Sequence, residues 1–140
     1  SEANPELVKK VIFTSGKIYY DLLDEKHDKN IDEVAIVRLE QISPIPFEEL
    51  YKIIDKYHGA KEWLWVQEEP GNMGAWTYLS RNFKEVPMRL IGRPDSSSPA
   101  TGSSQLHKQQ QRKLIEKAFG DCNCTRQKQE CRMVCSKKEY

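Results

Sequence analysis

WLWVQEEPGNMGAW, Trp63 to Trp76, decides how this chain is read. Trp63-Leu64-Trp65-Val66 is an apolar, strand-like run, and a helix-like run opens near Gly74 or Ala75. Between them, Gln67 to Trp76 (QEEPGNMGAW) gathers two acids, a Pro, an Asn and two Gly. Turn-forming residues directly after an apolar strand mark the carboxyl edge of an open α/β sheet, where ligands and partners collect. The plainer reading is a strand-to-helix loop with solvated acids.

The same alternation extends outward in both directions. Upstream, Val11-Ile12-Phe13 reads as the first strand, and Ile18 to Lys26 repeats apolar residues at helical spacing. Ser15 is placed to cap that helix. Val34 to Leu39 (VAIVRL) is a nearly unbroken apolar run, which suits a central strand covered on both faces. Its Arg38 should then point out at the strand end. Pro44 and Pro46 exclude helix and central strand there, and Pro46 can open a helix running to about Tyr57. Downstream, a helix is expected to Phe83, then a strand at Met88 to Ile91. A Ser- and Pro-rich loop (Gly92 to Gly102) follows, then a last helix from Ser103 or Ser104 to Phe119, stopped by Gly120. Strand and helix alternate four times. That predicts an α/β fold with a mostly parallel sheet and helices on both faces.

The 140 residues carry a formal net charge of +1 and 31% charged residues. No basic stripe draws the chain to nucleic acid, and no apolar run approaches the ~20 residues needed for direct membrane insertion. The chain opens on Ser1 rather than Met, so it reads as a processed product, a fragment or a late start. All four Cys fall at Cys122, Cys124, Cys131 and Cys135, which divides the chain into a Cys-free body, 1–120, and a tail, 121–140. Four thiolates that close together can hold Zn²⁺, but they can also pair as disulfides or stay free. The polar tail needs something to order it: a partner chain first, a metal second.

Four stretches together resemble one family: TSGKIYYDL (Thr14 to Leu22), VAIVRLEQISPIPF (Val34 to Phe47), WVQEEPGNMGAW (Trp65 to Trp76) and GRPDSSSPATGSSQLHKQQQ (Gly92 to Gln111). In that order they are similar to the C-terminal domain of the decarboxylase component of 2-oxoglutarate dehydrogenase. The resemblance implies a transketolase C-terminal fold and a non-catalytic domain that supports assembly. It also implies that thiamine diphosphate and magnesium belong to domains not represented here, so no catalytic residue carries over. Some members bind acetyl-CoA or nucleotides, and the matching residues here would be Arg38, Gln67 and Arg93. Met73 stands where the motif often has Gln, and the Cys tail has no counterpart.

Arg93 with Ser96, Ser97 and Ser98 offers a guanidinium and hydroxyls to an anion before a helix, or else a solvated loop paired to Asp95. Glu68 and Glu69 would point to opposite faces of an extended chain and need not share a site. His27, His58 and His107 are isolated, and Trp63, Trp65 and Trp76 are expected in the core. The expected role is a structural or interaction subunit of a larger assembly with other protein subunits as partners; the resemblance implies a mitochondrial (matrix-side) place, where the family's enzyme works in eukaryotes, and no cofactor of its own. The alternatives are a fragment of a complete 2-oxoglutarate dehydrogenase decarboxylase, or a free acetyl-CoA- or nucleotide-binding regulatory domain.

Overall fold

The computed structural model describes residues 3–93 and 104–120. Strands and helices alternate as β1 (Lys10–Thr14), α1 (Ile18–Asp28), β2 (Val34–Arg38), α2 (Phe47–Lys56), β3 (Glu62–Pro70), α3 (Trp76–Asn82), β4 (Met88–Arg93) and α4 (Ser104–Phe119). The strands form one parallel sheet in the order β2-β1-β3-β4. The expected α/β class is therefore present.

Side chains alternate across the strands and build two cores. Val11, Phe13, Trp63, Trp65 and Leu90 point to the face covered by α2 and α3, where Leu50, Leu79 and Phe83 meet them. Ile12, Leu64, Val66 and Ile91 point to the opposite face and pack on Ile18 and Leu22 of α1 and Leu114, Ile115 and Ala118 of α4. Helices on both faces force the middle of each strand to be largely apolar, with polar residues mostly at the ends and Arg89 inside β4. Trp63, Trp65 and Trp76 are all buried, as expected.

Three readings need correction. VAIVRL contributes to both cores, but β2 is an edge strand, not a central one, and its Ile36 and Val37 stay half-exposed. The crossover through α2 carries the chain over β1 to its far side, and local hydrophobicity does not record that step. Ser15 does not cap α1: its N-cap position is Lys17, with no side-chain cap bond. Finally, the strand after Trp63 does not stop at Val66 but continues to Pro70.

At the opposite end of the strands lies a row of buried charge. Lys10 Nζ donates to the carbonyls of Ala118 and Gly120 at 3.0 and 2.9 Å. The ammonium thus satisfies open carbonyls at the C-terminus of α4, where the helix dipole favours a cation. Glu62 stands between Lys10, at 3.7 Å, and Arg89, at 3.5 Å.

Candidate functional site

In the order β2-β1-β3-β4 the connections leave β1 and β3 in opposite directions, so the crevice at their carboxyl ends is the topological switch point. A cavity of about 400 Å³ opens there, lined by Ser15, Gly16, Glu68, Glu69 and Arg93. Each lining residue arrives by a simple route. Ser15 and Gly16 follow β1, with Gly16 at φ +82°, a turn that glycine makes without strain. Arg93 ends β4.

Glu68 and Glu69 reach the same cavity because β3 is irregular. Val66 pairs with Ile91 and Pro70 with Arg93, so Gln67, Glu68 and Glu69 span what Gly92 alone spans on β4. That bulge breaks the alternation that would have separated the two acids.

Gln67 holds the bulge from inside. Its Oε1 accepts the indole N–H of Trp65 at 2.8 Å and the backbone N–H of Trp76 at 3.2 Å. Its Nε2 donates to the carbonyls of Glu69, Pro70 and Met73 at 3.1, 2.7 and 2.8 Å. The residue is buried, and its amide is committed to the chain's own backbone. It fixes the loop that carries Glu68 and Glu69. Two glycines leave room for this arrangement. A Cβ on Gly92 would lie 2.9 Å from the Glu69 carbonyl oxygen. One on Gly74, already at φ +70°, would lie 3.0 Å from Gln67 Oε1.

The structure does not bring the sequence candidates into one cluster. Arg38 ends β2 and lies over the rings of Tyr19 and Tyr20, 5.7 and 5.4 Å from their centroids, with Nη1 donating to the Tyr20 hydroxyl at 3.2 Å. It is three strand steps from β4, roughly 14 Å across the sheet, so it does not share the Arg93 cavity. Arg93 turns to α4: Nη2 donates to Gln111 Oε1 at 2.9 Å, and Nη1 meets His107 Nδ1 at 3.2 Å and Gln110 Oε1 at 3.4 Å. Its Nε is buried without a hydrogen-bond partner among the described residues. All three His are exposed, and of them only His107 meets Arg93. Ser96, Ser97, Ser98, Asp95 and Ser103 lie outside the described residues, as do Cys122, Cys124, Cys131 and Cys135.

Arg93, Glu68 and Glu69 all line this cavity, so the site is mixed in charge. Among the described residues no three His, Cys, Asp or Glu side chains gather to hold a metal ion. No helix among them is long and apolar enough to cross a membrane.

The family model for the 2-oxoglutarate dehydrogenase C-terminal domain matches residues 1–119. The chain belongs to this family. It is 43% identical over 123 residues to the 2-oxoglutarate dehydrogenase E1 component of Haemophilus influenzae, covering 84% of this chain and 13% of that protein. It is 40% identical over 121 residues to a probable 2-oxoadipate dehydrogenase complex component E1 homolog of Dictyostelium discoideum, covering 83% of this chain and 13% of the relative. A multifunctional 2-oxoglutarate metabolism enzyme of Mycolicibacterium vanbaalenii is 43% identical over 118 residues, or 80% of this chain and 10% of its own length. The chain therefore spans about an eighth of these dehydrogenases, and the match is to their C-terminal domain.

Proposed function

We propose that this 2-oxoglutarate dehydrogenase C-terminal domain is a non-catalytic interaction module, making subunit contacts in a larger protein assembly in the mitochondrial matrix. One observation carries the reading: at the sheet edge where an α/β domain would place its chemistry, the best-placed polar side chain, Gln67, has its amide oxygen and nitrogen committed to Trp65 and the backbone. The edge is built to be rigid. Glu68 and Glu69 share the cavity with the Ser15 hydroxyl and Arg93, and no His lines it among the described residues to serve as the base of a Ser–His pair. The matrix placement follows the resemblance to an enzyme that works there in eukaryotes. Intact mass and composition of the natively purified particle test the reading, which expects this chain in fixed stoichiometry with other subunits.

A second reading has its own support. The relatives are whole E1 components of which this chain matches 13%, so the domain fits as a part of a complete decarboxylase of that kind. Oxidative decarboxylation would then belong to residues outside this sequence, together with thiamine diphosphate and magnesium. That reading expects a far longer polypeptide. A regulatory role for the cavity at Arg93 expects acetyl-CoA or a nucleotide to raise the melting temperature by linkage.

A further inference from the structure

The sheet ends on two unlike strands. On β4, Met88 to Gly92 are all buried. On β2, Val34 and Ala35 are buried, but Ile36 and Val37 are half-exposed and Arg38 is exposed. The backbone of β2 is also half spent. Lys10 N–H donates to the Glu33 carbonyl at 3.1 Å, and Leu39 N–H donates to the Thr14 carbonyl at 2.8 Å. In a parallel ladder alternate residues face the same neighbour. Glu33, Ala35, Val37 and Leu39 therefore face β1, and Val34, Ile36 and Arg38 turn their N–H and C=O outward. No strand among the described residues lies beyond them.

Natural edges are blunted with Pro, bulges or inward charges. The five residues VAIVR have neither Pro nor bulge; they are β-branched but for Ala35 and Arg38. The strip is also polarised. Asp32 and Glu33 are exposed at its start and Arg38 at its end. Tyr19 and Tyr20 hold the Arg38 guanidinium in place beside the edge. An incoming strand would find backbone partners along the middle, an attraction for acid at Arg38 and one for base at Asp32, whereas Glu33 already pairs with Lys9 at 3.2 Å.

We infer that the open edge of β2 is a strand-acceptor surface for an extended segment of a partner subunit, with an acidic side chain at Arg38 and a basic one at Asp32. This rests on the interaction-module reading and gives it a surface. Backbone bonds would supply the pairing, and the two charged ends would fix its direction.

Residue-resolved amide hydrogen exchange tests it, on the full chain alone and in its natively purified assembly. In the isolated chain the amides of Val34, Ile36 and Arg38 should exchange freely while Ala35 and Val37 are protected. In the assembly the first three should slow by roughly tenfold or more. An assembly that leaves them unprotected overturns the inference while the module reading stands. An isolated chain that is already protected and dimeric assigns the edge to a second copy and also overturns it. A chain found in no assembly removes both. Ile36→Pro adds an independent arm, because an edge strand tolerates Pro where its N–H faces out. The variant should still unfold cooperatively yet fail to enter the assembly; normal incorporation would count against the edge.

Discussion

Gln67 Oε1 accepts the indole N–H of Trp65, two residues earlier on the same strand, at 2.8 Å. Both side chains are buried, so neither group has water to fall back on. The pair ties a fully buried aromatic of one core to the loop at the sheet's carboxyl edge.

Gln67→Ala should therefore be costly. It leaves the Trp65 indole N–H and the Trp76 N–H without that acceptor, and three carbonyls without that donor. Unsatisfied buried groups cost about 1–3 kcal/mol each, with relaxation and water offsetting part of the sum, so a loss of about 3 kcal/mol is expected in urea unfolding. Gln67→Glu should also destabilise, because a carboxylate cannot donate to the three carbonyls.

Trp65→Ala should cost about 3–5 kcal/mol, the usual loss for a large aromatic taken from a packed core. Trp65→Phe keeps a ring but drops the donor. Combined with Gln67→Ala in a double-mutant cycle, it should show coupling of about 0.5–3 kcal/mol, as expected of direct hydrogen-bond partners. Additive losses would mean the bond carries little.

Gly92→Ala should destabilise by about 1–3 kcal/mol, because the new Cβ meets a backbone oxygen that cannot move without opening the bulge. Gly59→Ala is the control. Nothing lies within 4 Å of its Cβ position, so its effect should be near neutral, or stabilising by about 0.5 kcal/mol. Thermal unfolding of the two variants side by side separates the effects.

Acid should weaken the α1–α4 contact through Glu25. Arg112 donates to both its carboxylate oxygens at 2.9 Å, and Lys29 lies at 2.7 Å. Hydrogen bonds from Arg112, then from Lys29, hold its carboxyl below the usual value of 4.5, against the opposing effect of burial. A carboxyl lowered on folding stabilises above its unfolded pKa, and that contribution fades as pH falls through the folded value. Glu25→Gln should be less stable than the parent at neutral pH, with the gap closing below about pH 4.5. A gap unchanged down to acid would place the difference in packing instead.

The alternation of strand and helix was legible because each strand carries an apolar core and each crossover has its own periodicity. Strand order was not. VAIVRL reads as central, since it contributes to both cores, but neighbours across a sheet are set by crossovers that no local pattern encodes. The site was legible only in part. The turn residues of QEEPGNMGAW marked the right edge, and Arg93 and the two acids do line its cavity. Arg38 stands elsewhere because it ends the outer strand. The work of Gln67 was hidden, since a polar residue at a strand end looks the same whether it faces a ligand or its own backbone. Gly74 and Gly92 were the available clue: two glycines placed where a side chain would collide with that loop.

Native mass spectrometry of the particle purified from source tests the central claim most directly. An interaction module predicts this chain in fixed stoichiometry within a larger assembly, with no decarboxylase activity traceable to the chain itself. A free monomer near 16.3 kDa, bound to nothing, would contradict the account.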